Sequence, residues 1–338
     1  MLRALSTLYP TILSIFGFKK SYNFILFFIF AGGLFGFTLS RLEYLSIGTR
    51  YAAGSAPGEW FHQHSGHERI GITLHLACIL PCSILVVFQF IPAIRHAAPL
   101  FHRVNGYLIM ILFLISNAGA LMISRHAFGG SLLTQTGTGL LVLLTTFSLA
   151  LAYYNICRLQ IDQHRAWMLR TMVYMGSIVT IRPLMEILTR VIQRLGAAYY
   201  VVWSCEKIDF TWRMYQVPVE YLLLAYPSCS NASSSSPAAA QGGGPAVDSV
   251  AIVKADMDAP DPAQIGANLQ LSFGVALWLA MFMHIAGVEI YLRLTPREGQ
   301  RLRMVSYERQ KRAGFKEPGR AGLVVEKVGD AEPWVPDG

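Results

Sequence analysis

Charged residues are scarce in this sequence. Only 14% of its 338 residues are charged, whereas 53% are hydrophobic. A soluble domain carries about 25% charged residues to cover its surface, so this composition excludes an ordinary soluble domain and indicates extensive contact with lipid. The sequence also lacks a phosphate-binding loop, a nucleophile elbow, an HExxH pattern and a CxxC pattern. These absences disfavour ATPase and hydrolase functions.

Six apolar stretches approach or reach the length of about 20 residues that a helix needs to cross a bilayer. They run from Asn23 to Ser40, Ile70 to Ile91, Asn105 to Ser124, Thr136 to Cys157, Trp167 to Thr189 and Leu269 to Leu292. The sequence therefore predicts an all-α polytopic bundle with about six transmembrane helices. The stretch from Leu5 to Phe18 is too short to span and shows no clear cleavage site, so we expect an interfacial helix there.

The expected organisation has five parts. Residues 1–22 form a cytoplasmic or interfacial N-terminus, 23–192 a five-helix membrane core, 193–268 a lumenal or extracellular loop, 269–292 the sixth span and 293–338 a basic cytoplasmic tail. The location predicted from this organisation is a membrane of the secretory pathway or the plasma membrane, in a multi-pass arrangement.

Basic residues after the last span set the predicted orientation. The tail carries Arg293, Arg297, Arg301, Arg303, Arg309, Lys311, Arg312, Lys316 and Arg320. Because cytoplasmic segments hold the excess of Lys and Arg, both termini are predicted to be cytoplasmic. Acidic lipid headgroups at this tail are the expected partners. The net charge of +8 lies beside apolar runs and in the tail, so nucleic acid is not expected, and protein partners are unknown.

The loop over residues 193–268 is predicted to face the lumen or the outside. It is rich in acidic residues, and Asn231 begins an Asn-Ala-Ser glycosylation pattern, which is usable only on that side. Cys205 and Cys229 flank its aromatic part, where an oxidising compartment allows a disulfide that holds a small lid; two reduced thiols are the alternative. The Ser, Ala and Gly tract from Ser233 to Gly244 has no means of building a core and is predicted to be disordered.

Ionisable side chains at membrane depth are candidate site residues, because each costs at least about 2.5 kcal/mol on insertion scales. Arg182, Glu186 and Arg190 share one face of the fifth span, so Arg182 is expected to pair with Glu186. Two interpretations remain open, an internal ion pair that fixes packing and a contact to an anion or substrate. His284 in the sixth span is either a hydrogen-bonded packing residue or part of a site.

The segment before the second span contains three histidines within six residues, His62, His64 and His67. Imidazole suits zinc and copper. However, the sequence offers neither the strands nor the following aspartate that soluble metallohydrolases combine with such a spacing. We therefore interpret this segment as an exposed polar loop and predict no metal site.

Several motifs carry a resemblance to a known family. They are QFIPAIR at 89–95 with Pro99, HRVNGY at 102–107, SRHAFGG at 124–130, DQHRAWMLR at 162–170 and EIYLRLTP at 289–296. With these motifs, the chain resembles a fungal-type member of an uncharacterised membrane protein family, numbered 2306 among the domains of unknown function. The resemblance runs from about Gly71 to Arg312 without the low-complexity tract, and it implies a fold but no activity.

Four histidines suggest a haem hypothesis. Transmembrane b-type cytochromes hold haem between two imidazoles from different helices. In the predicted topology, His75 and His126 lie toward the outer face, and His102 and His164 lie toward the cytoplasmic face. Two such pairs are similar to the arrangement in cytochrome b561-like electron carriers, so haem b is a possible cofactor. The 24 residues from His102 to His126 argue against it, since they span about 36 Å of helix.

Two other function classes remain open from the sequence. One is a membrane enzyme that acts on a lipophilic substrate, with Glu186 or a histidine as the acid or base. The other is a transporter, sensor or scaffold without chemistry. The sequence therefore leaves undecided whether the chain is an enzyme.

Overall fold

The computed structural model describes residues 10–195, 199–234 and 249–336, without the side chains of residues 231–234. Its main elements are α1 (Ser21–Arg41), α2 (Gly66–Gln89), α3 (Pro99–Ile123), α4 (Leu132–Cys157), α5 (Ile161–Arg194), β1 (Tyr200–Ser204), α6 (Cys205–Met214), β2 (Val250–Lys254), α7 (Pro262–Leu294) and α8 (Pro296–Arg312). Short helical turns lie at 10–16, Leu42–Leu45, Ile47–Tyr51, Ala52–Gly54, Trp60–Gln63, Pro92–Ala97, Ala127–Gly130, Val219–Tyr221, Leu222–Ala225, Pro227–Ser234 and Val325–Val328.

Six helices of the described residues, α1 to α5 and α7, are long and apolar enough to cross a membrane. The prediction of an all-α bundle with six spans is confirmed. The molecule is therefore a membrane protein with several apolar helices, and the apolar side chains that these helices expose meet lipid. The interfacial helix expected from Leu5 to Phe18 is described only from residue 10, where a helical turn covers 10–16.

Helix contacts are most extensive between α2 and α3, between α5 and α7, and between α4 and α5. The backbones of α2 and α3 touch, because a Cβ built on Gly119 would lie 2.6 Å from the carbonyl oxygen of Gly71. Polar side chains of α2 also meet α3 in this interface. The Gln89 amide donates to the carbonyl of His102 at 2.9 Å, and the Cys82 thiol lies 3.7 Å from the carbonyl of Ile109.

The connection between α5 and α7 folds into a lid, which we define as residues 199–234 and 249–261. Strands β1 and β2 pair in antiparallel register, with Val202 opposite Ile252. Alternate residues of β1 point inward, and Trp203 is 3% exposed. We did not predict these strands, because each contributes only two inward-facing residues to the pattern.

A disulfide closes the lid on itself, and Asp261 joins the lid to the bundle. Cys205 and Cys229 form a disulfide across the aromatic part of the lid. The carboxylate of Asp261 accepts hydrogen bonds from Trp212 Nε1 and from the Tyr226 hydroxyl, and it caps the first turn of α7 at the Ala263 amide. Helix α7 therefore begins at Pro262, seven residues earlier than the sixth span was predicted to begin.

Part of the predicted loop lies outside the described residues. Residues 235–248 cover most of the tract expected to be disordered, and the side chain of Asn231, the predicted glycosylation site, is likewise outside them.

The opposite end of the bundle, which we call the tail end, is covered by α8 and the residues that follow it. Gln160 and Gln310 are fully buried there, and the Gln310 amide donates to Gln160 Oε1 at 2.9 Å. The Ser306 hydroxyl lies 2.8 Å from Asp162 Oδ1 at the start of α5. The basic tail is therefore folded against the bundle rather than extended from it.

Candidate functional site

Three potential metal ligands converge at the lid end, which is the end of the bundle opposite the tail. His62 lies on the short helix Trp60–Gln63, Glu68 on the first turn of α2, and His126 just after α3. One ligand atom from each residue lies within 4.8 Å of the other two. His126 Nδ1 contacts Glu68 Oε1, and the His62 and His126 rings stack with their centroids 4.0 Å apart.

Glu68 is the residue of this cluster that keeps an unused carboxylate oxygen. The residue is only 3% exposed, and its Oε2 has no hydrogen-bond partner within the described residues. A buried carboxylate oxygen without a partner is costly. Burial, with His126 and Lys207 nearby, lowers the pKa of His62 to about 3, so its imidazole is neutral, as a metal ligand must be. Two histidines and one carboxylate form a donor set used by catalytic zinc and by non-haem iron.

The sequence spacing grouped His62 with His64 and His67, and no metal site was predicted from it. His64 bonds to the carbonyl of Phe61 and stacks on Phe210, and the side chain of His67 is 71% exposed. The structure instead combines His62 with Glu68 and with His126, which is 58 residues beyond Glu68. No local spacing could indicate this set, because the antiparallel return of α2 and α3 brings its members together.

The turn after α3 holds His126 and Glu59 in place. Phe128 has a φ of 45° and Gly129 a φ of 75°, so the chain reverses tightly between α3 and α4. The Phe128 amide then donates to Glu59 Oε2 at 2.8 Å. Gln63 donates to the other oxygen of this carboxylate at 2.8 Å and accepts from the Tyr51 hydroxyl at 2.5 Å.

A second pair of charged side chains lies beside the cluster. Glu59 is 8% exposed, and Lys207, on helix α6 of the lid, is 6% exposed. Burial raises the pKa of Glu59 to about 7 and lowers the pKa of Lys207 to about 8, although the attraction between the two opposes both shifts. Both line a cavity of about 10 Å³ that Trp203 also lines, with room for about one water molecule. This arrangement allows proton exchange near neutral pH.

The outer pair of predicted haem ligands is not arranged around a common space. His75 Nδ1 lies 3.0 Å from the Ser116 hydroxyl and 3.1 Å from the Ser116 carbonyl. His126 contacts Glu68, which precedes His75 by seven residues or about 10 Å of helix. Between these levels, the backbones of α2 and α3 touch at Gly71 and Gly119, which leaves no gap for a porphyrin between the two helices.

The inner pair lies at the tail end. His164 Nδ1 donates to the Ala152 carbonyl at 2.9 Å, which leaves its Nε2 available. His102 Nδ1 is buried without a partner in this part of the structure, and the two imidazoles are near enough to interact electrostatically. The haem hypothesis therefore rests on His102 and His164.

The predicted ion pair in α5 is wrong. Glu186 pairs with Arg190, at 2.6 Å, and both side chains are more than 60% exposed. Arg182 turns the other way and lies 5.7 Å from the centre of the Phe128 ring. The cause is helix geometry, because Glu186 can reach only one of its two i±4 neighbours at a time, and Arg182 faces the interior at the lid end.

His284 is a core residue whose two ring nitrogens both have hydrogen-bond partners. Its Nδ1 lies 2.6 Å from the Val173 carbonyl and its Nε2 lies 2.8 Å from the Thr180 hydroxyl. Both ring nitrogens are therefore engaged in joining α7 to α5. The neighbouring charge Glu289 forms a bidentate ion pair with Arg170, at 2.6 and 2.9 Å.

Comparison with known proteins gives a family and a relative. Residues 72–206 match the family model described as "Predicted membrane protein (DUF2306)". The "Ava biosynthesis cluster protein G" of Aspergillus versicolor is 24% identical over an alignment of 326 positions, which covers 82% of this chain and 89% of the relative. No solved structure matches the chain.

The matched segment includes His126 but neither His62 nor Glu68, so the family match does not by itself indicate a metal site. The family match does confirm the resemblance that the sequence motifs indicated. Over residues 72–206, the chain is a match to the DUF2306 family of predicted membrane proteins.

Proposed function

We propose that this protein is a metal-dependent membrane enzyme that acts on a lipophilic substrate at the lid end. One observation carries the proposal: His62, Glu68 and His126 converge within 4.8 Å, and the buried carboxylate between them keeps an oxygen without a partner. Three protein ligands leave at least one coordination position open for water or substrate.

The surrounding groups fit a catalytic role better than a structural one. A divalent ion bound here would polarise a carbonyl or activate a water molecule. Glu59 and Lys207 can then donate or accept protons near neutral pH, since burial moves both of their pKa values toward 7. The lid covers the pair with Trp203, whose indole nitrogen donates to Gln270 Oε1 at 2.9 Å.

Two further points support a lipophilic substrate. The cluster lies at the ends of membrane helices, where a molecule dissolved in lipid can approach it. The Aspergillus relative is named as a member of a biosynthesis cluster, which suits an enzyme that modifies an intermediate.

Metal content tests the site directly. Detergent-purified protein is stripped with chelator, reloaded separately with Zn²⁺, Fe²⁺, Mn²⁺ or Cu²⁺, dialysed and analysed by elemental mass spectrometry. We expect about one ion per chain and a loss of at least tenfold in affinity for Glu68→Gln and His126→Ala. His67→Ala is the matched control, because His67 adjoins the cluster but is exposed.

The open position is tested with cobalt. We expect the visible spectrum of the Co²⁺ form to change when azide is added, because an open site takes up the added ligand. Failure to retain any of these metals, or equal retention by Glu68→Gln and the parent, would refute the metal site. A cobalt spectrum indifferent to azide would refute the catalytic role.

A haem-b electron carrier similar to cytochrome b561 is the alternative that the sequence raised. It has less support, since only His102 and His164 remain near each other. The absorption spectrum of the purified protein decides: a Soret band that shifts on reduction and disappears in His164→Ala would favour the carrier over the metal enzyme.

We also propose that the lid end faces the lumen or the outside, and that the exposed cations of α8 contact acidic headgroups. Arg297, Arg301, Arg309, Lys311 and Arg312 are exposed on this helix, whereas Arg303 is buried and unavailable. A glycan on Asn231 that endoglycosidase removes would support this orientation. A glycan found only on sequons introduced at the tail end would reverse it.

A further inference from the structure

Three arginines at the lid end have no carboxylate partner. Arg41 ends α1, Arg69 lies on the first turn of α2, and Arg182 lies on α5. Each has a guanidinium nitrogen that is shielded from solvent and makes no hydrogen bond. None of the three belongs to an ion pair among the described residues. Arg69 stacks on the Trp60 ring, whereas Arg41 and Arg182 are close enough to interact electrostatically with each other.

Arg41 and Arg182 face the same tyrosine from different helices. Arg41 Nη1 donates to the Tyr44 hydroxyl at 2.9 Å, and its guanidinium lies 5.0 Å from the centre of that ring. Arg182 is close enough to interact electrostatically with both Arg41 and Tyr44. Its guanidinium makes no hydrogen bond to any described residue, and its aromatic contact is to Phe128.

The nearby carboxylate does not neutralise this pair. Glu59 interacts with Arg182 only weakly at a distance, because its oxygens accept from Gln63 and Phe128 and its charge is shared with Lys207. Two guanidinium groups that repel each other, each with its Nε shielded from solvent, are costly without a counter-charge. Guanidinium groups with free donors bind carboxylate and phosphate oxygens through charge-assisted hydrogen bonds.

We propose that Arg41 and Arg182, with Tyr44 beside them, form a binding site for an oxyanion, a phosphate or carboxylate group on a free anion or on a lipid headgroup. The site adjoins the proposed metal cluster through Phe128 and Glu59 but does not depend on a metal. It would hold the acidic end of an amphiphilic ligand while the apolar part stays among the helices.

Thermal unfolding of delipidated, chelator-treated full-length protein in a neutral detergent tests the site. The probes are inorganic phosphate, and mixed micelles of dioleoyl phosphatidic acid or, as the neutral reference, dioleoyl phosphatidylcholine. We expect the Tm to rise with phosphate if the site takes free anions, or only with phosphatidic acid if it takes a headgroup. Either result supports the proposal.

Substitutions locate the effect. Arg182→Gln and Arg41→Gln should each weaken anion binding by about tenfold or more, which is what loss of a charge-assisted hydrogen bond costs. Without anion, both variants should be at least as stable as the parent, because each removes an uncompensated charge. Arg190→Gln is the matched control on α5, since Arg190 is exposed and paired with Glu186.

Two outcomes would overturn the oxyanion site. One is the absence of a Tm shift with both phosphate and phosphatidic acid. The other is an equal shift in the parent and in both glutamine variants. The metal proposal fails separately, because Glu68→Gln should lose metal and keep the anion shift, whereas Arg182→Gln should do the reverse.

Discussion

The two ends of the bundle differ in how far their buried charges form ion pairs, although the tail end also keeps single partnerless atoms, Arg303 Nε, Glu326 Oε2 and Arg320 Nε. At the tail end, Arg303 lies 3.0 Å from Glu326 and 3.8 Å from Asp162. At the lid end, Arg41, Arg69 and Arg182 have no carboxylate partner in the part of the chain that the structure describes, and Glu68 keeps an unpartnered oxygen.

The difference separates a structural network from a binding site. Buried charges that serve only stability are matched within the protein, because an unmatched one would be costly. At the tail end, Ser306, Gln160 and Gln310 complete such a network with Asp162. At the lid end, the cationic groups of the proposed oxyanion site and the anionic group of the proposed metal site remain separate. Loss of a tail-end residue should therefore reduce stability, and loss of a lid-end residue should reduce binding.

Asp162→Ala should have the largest effect on stability. Asp162 accepts hydrogen bonds from Gln160, Gln163 and Ser306, and its removal also takes a counter-charge from Arg303, which is 8% exposed. Breaking a buried charge network of this kind costs about 3–5 kcal/mol. Thermal or denaturant unfolding in detergent measures the loss, and bound metal per folded chain should not change.

The matched control is Glu308→Ala on α8. Glu308 forms an exposed ion pair with Arg312 at 3.6 Å, so its loss should cost about 0.5 kcal/mol or less. Equal effects of the two substitutions would show that the tail-end network contributes no special stability.

The stability of the protein should depend on pH through two buried groups at the lid end, Glu59 and Lys207. Burial raises the pKa of Glu59 from 4.5 to about 7. Between these values the folded state binds more protons than the unfolded state, so stability falls as pH rises. Burial lowers the pKa of Lys207 from 10.5 to about 8. Above pH 8 the unfolded state binds more protons, so stability rises again, and the contribution of this pair is smallest between pH 7 and 8.

Lys207→Met should remove the rising part of this profile. We expect the variant to lack about 1–2 kcal/mol of gain between pH 8 and 10, since tenfold in proton affinity corresponds to about 1.4 kcal/mol. The other groups near Glu59 are Glu68, Arg182 and Tyr51, and burial raises the pKa of Tyr51, which stays neutral throughout. Subtraction of the two Tm profiles over pH 5 to 10 measures the contribution of Lys207 together with its effect on Glu59, whose pKa it lowers, and parallel profiles would contradict the assigned burial.

Glu186→Gln should have the smallest effect. The Glu186–Arg190 pair is exposed, and such pairs contribute about 0.2–1 kcal/mol. We expect a change in the free energy of unfolding near the lower figure, with metal content and anion binding unchanged. A loss of either ligand in Glu186→Gln would return this residue to the site, as the sequence first suggested.

The sequence predicted where the membrane spans lie better than it predicted which side chains contact each other. Each span was visible from about 20 apolar residues in its own segment, and the structure differs mainly at the ends, as at Pro262. Arg182 shows the limit of local reasoning. Spacing placed both Arg182 and Arg190 within reach of Glu186, but only the packing of α5 decided which of the two faces the interior.

The sequence alone determined that this chain is a six-span helical membrane protein, because composition and apolar length act locally and need no knowledge of neighbours. Only the tertiary structure decided that His62, Glu68 and His126 share one space, that Lys207 of the lid approaches Glu59, and that Arg41 and Arg182 meet without a counter-charge. The physical reason is distance along the chain. These groups lie on segments brought together by antiparallel helix packing, and the sequence carries no local signal of that contact.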